Sequence, residues 1–567
     1  MTTSIVLSLN NLPVEILHRI FDSLDAKTIL FHVKYVCKRL YSTTINYNRY
    51  ELNFNTICKK TFHQLCSVTY PEKIISLTLS DENQTPGQIE LFLSLYCIEQ
   101  YTRLQSITLM AIKELHLNTI LKHTSTAACS LADLVIYCEL DSILSDETLL
   151  FLSLTIGKNT IRKLDLNLGY TTIHELEWPL NCSVIYLRLT SCLRFQNFCR
   201  ILSCSPYVEN LILRDCIVYD IEEINCLISV NTMYPQVTSL SLNDCDQKMA
   251  IIESLLSLTP SLMHLTIVGN SNDLFHGSRW EKFIQTKLLH LNKFQFTFQS
   301  NINVNHDLAG LESIIQSFRT PFWIETKQWF VTAMCVQHLS VINLYTINDC
   351  ASKINFRPNA NKITRSTAST KIGQEIMQTV REISLDINEM QVDLTEKAKK
   401  SAYCFYNRLT KLRLQIYENW PDGSLGLLSS FIDLSTITDL TLDVNIVEND
   451  SSNITTGITA LLQQASHIKS LVILSHTLSL HTICSIISHH IKHLQIPVTS
   501  IKDMKLILNQ FDHLFSVSFT FLCKSIVSIT EITELLVTKG IDFTYHLTQF
   551  SLNLWLSMNK EEFLNSC

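Results

Sequence analysis

The chain has 567 residues, of which 46% are hydrophobic and only 17% charged, a composition that builds a core and excludes wholesale disorder. Its 45 Lys and Arg against 52 Asp and Glu leave a formal charge of −7, too mild for a nucleic-acid or anionic-membrane surface. The 11 glycines are too few for the clustered turns of phosphate-cradling nucleotide folds.

The first residues, Met1 to Asn11, lack a basic start and a long apolar stretch, so no secretory signal is expected. No apolar run is long enough for a transmembrane helix. The 19 cysteines are odd in number and nowhere spaced C-x-x-C. These features predict an intracellular protein, in cytoplasm, nucleus or both, with free and mostly buried thiols.

Residues 12–45 carry the first strong pattern. Leu12, Ile16, Leu17, Ile20, Phe21 and Leu24 recur at helical spacing and form one wide apolar stripe. Pro13 suits a first helical turn, and Asn11 is the expected cap. After a break at Asp25-Ala26-Lys27, a short helix is predicted over 28–33. A third places Val36, Cys37 and Leu40 on one side. Chains below roughly 40 residues rarely fold alone, so this unit must dock on its own chain or on a partner. The residues alone leave both readings open: a cap on the following array, or an interface.

The string L-P-x-E-I-L-x-x-I-F-x-x-L-D, followed by V-C-K-R-L, resembles the F-box. One departure is Leu40, where many members carry Trp; a large apolar residue is kept. The resemblance implies docking on a Skp1-type adaptor and through it on a cullin. It implies contact by Leu12, Pro13, Ile16, Leu17, Ile20, Phe21, Leu24, Val36, Cys37 and Leu40.

From Ile74 onward a phrase recurs, apolar-x-x-apolar-x-apolar. It runs through IISLTL, LQSITL, LADLVI, IRKLDL, VIYLRL, VENLIL, VTSLSL, LMHLTI and a weaker LNKFQF at Leu291. It resumes at Val380 with VREISL, LTKLRL, ITDLTL, IKSLVI, IKHLQI and LFSVSF. Within each run the phrases lie 23 to 31 residues apart. That spacing is a solenoid signature, and L-x-x-L-x-L resembles the leucine-rich-repeat core. Between phrases, 221–229, 249–258 and 454–465 show helical periodicity. The expected fold class is α/β: a short three-helix F-box, then a leucine-rich-repeat solenoid with a curved parallel sheet inside and helices outside. Such an array is one cooperative body.

The expected organisation is an F-box at 9–50, a linker or cap helix at 51–73 and repeats at 74–300. Degenerate repeats follow at 301–379, with room for about three more units, then repeats at 380–525 and a cap at 526–567. The basic, acid-free stretch 350–374 reads as a solvated loop inserted into the degenerate region. Alternation in FWIETKQWFV (322–331) predicts a strand with Trp323 and Trp329 as packing residues. Cys192, Cys216, Cys245 and Asn270 complete the repeat phrase and are expected to turn inward, as structural residues rather than metal ligands.

Side chains beside the inward leucines point to the free face of the sheet. They form one group with Lys163, Asp165, Tyr186, Arg188, Asn210 and Arg214, and a second with Glu382, Asp386, Lys411, Arg413, Asp439 and Asp443. Lys163, Tyr186, Arg188, Arg214, Lys411 and Arg413 are the candidate contacts for a protein target. The sequence has no Walker loop, G-x-S-x-G or H-E-x-x-H. His489 and His493 sit four apart on a predicted helix without a third ligand, and read as structural. The expectation is a receptor with no catalytic residues, metal or cofactor, that binds an adaptor and a protein target rather than nucleic acid or membrane. A scaffold whose N-terminal helices only cap the array is the alternative.

Overall fold

The computed structural model describes residues 9–126, 130–139, 143–168, 173, 175–190, 193–214, 217–218, 232–301, 308–336, 341–346, 353–356, 362–367, 381–387, 408–417, 419–445, 452–475, 478–521 and 529–557. The expected helix at 221–229, Cys192 and Cys216 lie outside these residues. The chain forms two compact units, Met1–Val218 and Tyr219–Cys567, where the repeats alone predicted one body.

In the first unit, helices α1 (Val14–Phe21), α2 (Ala26–Phe31) and α3 (Lys38–Asn46) lead into strand β1 (Tyr50–Asn53). The expected 51–73 linker therefore opens on a strand, followed by helix α4 (Lys59–Val68). Next come strands β2 (Ile74–Ser80), β3 (Ser106–Ile112), β4 (Asp133–Cys138), β5 (Lys163–Asn167) and β6 (Tyr186–Leu189). A two-residue β7 (Leu193–Arg194) precedes β8 (Asn210–Leu213) and pairs with β9 (Ile217–Val218). Helices α5 (Gln88–Leu95), α6 (Glu114–Thr126), α7 (Asp146–Ile156) and α8 (Phe195–Cys204) lie between strands. Strands β1 to β6 and then β8 neighbour one another in chain order, all parallel. Parallel neighbours need a crossover, and the intervening segments supply it.

The repeat phrase sets the register. Its third residue pairs with the third residue of the next phrase: Ser76 with Ser106, Ser106 with Asp133, Asp133 with Lys163, Lys163 with Tyr186 and Tyr186 with Asn210. At most entries to the parallel strands one carbonyl serves two donors. The Ala132 oxygen accepts from the Arg162 and Lys163 N–H groups at 2.7 and 3.0 Å, and the Arg162 oxygen from Ile185 and Tyr186 at 2.8 and 3.0 Å. Inward leucines such as Leu134, Leu164, Leu187 and Leu211 are buried, so each strand closes the core of its neighbours.

The second unit repeats this twice. Strands β10 (Ser239–Leu242), β11 (His264–Gly269) and β12 (Lys293–Asn301) are parallel. Gly269 is required there, because a Cβ would stand 2.1 Å from the Cys245 carbonyl oxygen. Cys245 is buried as expected, whereas Asn270 is exposed one residue past the strand end.

The parallel run ends at β12, where more parallel units were expected. Strands β13 (Val331–Val336) and β14 (Val341–Thr346) join antiparallel, in the order β12-β14-β13. The 350–374 stretch is also not a plain loop: its described parts include strands β15 (Lys353–Phe356) and β16 (Lys362–Ser366), and β16 pairs antiparallel with β13. Residues Phe322–Thr326 form a π-helical turn, not the predicted strand. Pro321 enters in helical geometry, the Lys327 N–H donates to the Phe322 carbonyl at 2.9 Å, and Gln328 at φ 55° turns the chain back. Both tryptophans are buried against Phe294, 6.2 Å from the Trp323 ring and 5.8 Å from the Trp329 ring. Aromatic burial overrode the alternation.

Strand β15 opens the last sheet beside β17 (Glu382–Asp386). There β18 (Lys411–Ile416), β19 (Asp439–Val444), β20 (Ser470–Ile473), β21 (His493–Val498) and β22 (Ser516–Phe521) follow in parallel and in phrase register. An antiparallel hairpin, β23 (Asp542–Leu547) and β24 (Ser551–Ser557), finishes it against β22. Strand leucines and helix residues such as Ile458, Leu461 and Ile507 form one buried cluster.

Candidate functional site

The N-terminal helices are set by local chemistry. Helix α1 begins after Pro13, whose carbonyl accepts from the Ile16 and Leu17 N–H groups, both at 3.1 Å. Pro13, not Asn11, is the capping residue, since its fixed φ of −54° aims the chain into the helix. Asp25 caps α2: its carboxylate accepts from the Thr28 N–H at 2.8 Å and the Thr28 hydroxyl at 2.7 Å. Burial pushes the Asp25 carboxyl up, but these hydrogen bonds win and hold it below its ordinary value. The Cys37 sulfur caps α3, accepting from the Leu40 N–H at 3.5 Å.

A small core holds the three helices together. Leu17, Phe21, Ala26, Ile29, Leu30, Leu40 and Tyr47 are buried, with the Phe21 and Tyr47 rings edge-on at 5.5 Å. The helices are also fastened to the chain around β1 and β2. Asp22 takes a two-point contact from Arg49, at 2.9 and 2.8 Å, and accepts from the Tyr47 hydroxyl at 2.8 Å. Burial and the Asp22 carboxylate push the Tyr47 phenol up. The Lys73 ammonium donates to the Ile45 carbonyl at 2.7 Å, and the Tyr50 hydroxyl to the Thr44 carbonyl at 2.9 Å.

The sequence-predicted docking residues separate into two sets. Leu17, Phe21 and Leu40 are buried, so they are corrected from contact residues to core residues. Cys37 is half-buried at its cap, and Leu12, Ile20 and Leu24 are half-buried. Pro13, Ile16 and Val36 are exposed, Val36 at 71%. Helical periodicity missed Val14, Tyr35, Tyr41 and Ile45, all exposed large hydrophobics, with Tyr35 at 70%. Tyr35 and Val36 lie in and just after a 3-10 turn, where no helical period applies; the readable signal is two large apolar residues in a turn. The Lys34 ammonium sits 5.5 Å from the Tyr41 ring centre and 5.8 Å from that of Tyr35. Together these residues give a surface that is apolar in chemistry and uncovered by the described residues.

On the strands of the first unit, three predicted target contacts come together. Lys163 pairs in register with Tyr186, its ammonium 5.7 Å from the ring centre. Arg188 pairs in register with Asp165, at 3.5 Å between charged atoms. The Tyr137 hydroxyl donates to the same Asp165 oxygen at 3.0 Å. Burial pushes the Asp165 carboxyl up, outweighing Arg188 and Tyr137. Arg214 follows β8 and is exposed. In the second unit Lys411 lies between Glu382 and Asp439 in register, and Arg413 donates to Asp443 at 2.9 Å. The two groups belong to separate units.

His489 and His493 do not share a helix. The preceding helix ends at Ile486, and His493 opens β21, where its Nδ1 meets the Ser516 hydroxyl at 2.8 Å. Burial depresses His493 to about 4. The helical spacing was fortuitous, because the phrase IKHLQI claims His493 for a strand. Among the described residues, no cluster of His, Cys, Asp or Glu side chains is arranged to hold a metal ion. Among them, no helix is long and apolar enough to cross a membrane.

A family model described as F-box-like matches residues 9–47. The match ends where the three helices end. F-box domains generally bind Skp1-type adaptors. No curated protein matches the chain significantly.

Proposed function

We propose that this chain is the target receptor of a Skp1–cullin–F-box ubiquitin ligase. Residues 9–47 dock on the adaptor, and the strand–helix array, read as leucine-rich repeats, holds the target protein. The observation that carries the reading is the uncovered apolar set Val14, Ile16, Tyr35, Val36 and Tyr41 on helices that already have a core of their own. A cap needs no such surplus. The phrase register supports the repeat reading, and the strand side chains, exposed Lys163 with half-exposed Tyr186 and Arg188 in one unit and half-exposed Arg413 in the other, are candidate target contacts. In this reading the chain does no covalent chemistry. It raises the local concentration of target lysines near a separate conjugating enzyme.

The scaffold alternative draws on a different observation, the Asp22–Arg49 and Lys73–Ile45 contacts that fasten the helices to the sheet. Co-purification with Skp1 separates the two. Wild type is expected to capture Skp1, and Ile16→Asp and Val36→Asp to lose it while melting normally. Failure of wild type to bind, or capture undisturbed by both substitutions, ends the receptor reading.

A further inference from the structure

Three consecutive repeats of the second unit enter their strands through the same two-residue turn: Ser466-His467, His489-His490 and Asp512-His513. The second turn residue is histidine each time, at intervals of 23 residues. Each of these histidines stands three positions before one of the register-paired residues Ser470, His493 and Ser516. The entries are also locked to one another. The Lys469 carbonyl accepts from the Lys492 and His493 N–H groups at 2.7 and 3.0 Å, and the Lys492 carbonyl from Phe515 and Ser516 at 2.7 and 3.2 Å. Neighbouring strands lie about 4.8 Å apart, so His467, His490 and His513 form a ladder about 10 Å long. His489 joins it, its ring 5.0 Å from that of His513.

The chain leaves most of these ring nitrogens unused. His467 and His489 are exposed, and His490 is half-buried. The His490 Nδ1 meets the Ser488 hydroxyl at 2.9 Å, but its buried Nε2 has no hydrogen-bond partner. His513 is 9% exposed, and neither of its ring nitrogens has a well-formed hydrogen bond. Buried polar atoms are ordinarily paired, so these point to acceptors that the turns do not supply. His493 stands apart from the set, on the sheet with its Nδ1 on Ser516. Among the described residues the rings are not arranged to hold a metal ion.

The fixed charges around the ladder are few. Lys469 is exposed, and Lys492 is half-buried with its ammonium 5.3 Å from the Phe515 ring centre. Of the acids, Asp433 accepts from the Ser435 N–H at 3.1 Å, and Asp439 from the Thr438 hydroxyl at 2.7 Å. Asp512 has an 82% exposed side chain, 4.0 Å from the His513 Nδ1. Past it, Lys539 donates to the Leu508 carbonyl at 2.9 Å. Arg408 and Asp542 lie two strands out on either side. Burial holds His490 and His513 below their ordinary value. Lys492 adds to this at both, with His467 at His490 and His489 at His513, while Asp512 and the Ser488 backbone oppose it at His513. These rings are therefore neutral when bare, and an anion beside them draws protons on.

We propose that this strip is a docking site for a short acidic run of a partner protein, its Asp or Glu carboxylates meeting His467, Lys469 and His489. Three residues of extended chain, at about 3.4 Å each, span the ladder. Nucleic acid or an anionic membrane fits worse, because both are drawn by dense fixed positive charge and only two lysines stand here, with Asp512 beside them. A second copy fits worse, because a two-fold contact centred on the strip sets lysine against lysine. Bound carboxylates favour the imidazolium form, so binding takes up protons and tightens as pH falls. The site belongs to the second unit and does not rest on the adaptor reading.

The test uses the full chain and fluorescent hexaglutamate, read by anisotropy at pH 6 and pH 8. Wild type is expected to bind at least about tenfold more tightly at pH 6, since one proton taken up allows up to about tenfold per pH unit. His467→Gln/His489→Gln, which alters only exposed side chains, is expected to lose most of that gain with unchanged melting. Lys469→Gln is expected to weaken binding by the same factor at both pH values, because its charge is fixed. Hexaglutamine is expected not to bind. The proposal is overturned if wild type does not bind hexaglutamate at pH 6, if its affinity is equal at the two pH values, or if the histidine variant behaves as wild type. Tighter binding of a phosphoserine peptide or an oligonucleotide assigns the strip to phosphate and overturns it too. So does co-sedimentation with phosphatidylserine vesicles, or a dimer at pH 6, that the histidine variant abolishes.

Discussion

The N-terminal helices and the strand array use the same apolar residue types and dispose of them in opposite ways. In the array, the first, fourth and sixth residues of the phrase are buried, as Ile161, Leu164 and Leu166 show. Each parallel strand closes the core of its neighbour, and among the described residues the large apolar side chains left exposed on strands, Tyr545 and Leu547, lie in the terminal hairpin. The three helices reach a core with Leu17, Phe21 and Leu40 and still leave Tyr35 and Val36 over two-thirds exposed. A strand of the array finds its partners in its neighbours; so small a helical unit leaves apolar surface that no described residue covers.

The sharpest way to break that contrast is a charge in each place. Leu187→Asp buries a carboxylate between β5 and β8 and is expected to cost about 4–5 kcal/mol, read as lost cooperative unfolding in urea. The same charge at Val36 is expected to cost less than about 0.5 kcal/mol, because it stays in water. Equal losses at the two sites would erase the distinction.

Acid sharpens the comparison between the two compact units. His493 is depressed from 6.5 to about 4 by burial, so its contribution is whole above pH 6.5 and is lost as pH falls through 4. Asp81 in the first unit is raised from 3.8 to about 7 by burial, so its contribution is whole below pH 3.8 and is lost as pH rises through 7. Taking the pH from 7 to 4 is expected to loosen the strands around β21 and firm the turn before α5, each by on the order of 3 kcal/mol at most. Hydrogen exchange of the two regions against pH checks this. His493→Gln and Asp81→Asn are expected to flatten their own profile alone; parallel profiles in wild type would contradict it.

A smaller loss than at Leu187 is expected from unfastening the helices. Asp22→Ala removes an exposed two-point contact and a partner of Tyr47, and is expected to cost about 1 kcal/mol in thermal melts. A loss of several kcal/mol would mean that the helices owe their fold to the sheet, as a cap does.

Much of this was legible in the sequence because one phrase does two jobs. Its buried positions fix the core and its spacing fixes the pairing, so the register of β2 to β6 follows from counting residues. Legibility failed where packing outranked pattern. Trp323 and Trp329 alternate like strand residues, yet they are six apart around a turn that buries both. The antiparallel strands β13, β14 and β16 carry no phrase, so spacing had nothing to count. The apolar stripe on α1 was visible as a period, but a period does not say which flank the chain covers itself. That is why Leu17 and Ile16, adjacent in the motif, have opposite fates.

The central claim is that residues 9–47 hold a folded surface awaiting an adaptor. Hydrogen exchange of the free chain and of the chain with purified Skp1 tests it most directly. The account predicts slowed exchange around Val14–Leu17 and Val33–Leu40 on adding Skp1, with strands β2 to β6 unchanged. Identical exchange in both samples would contradict it.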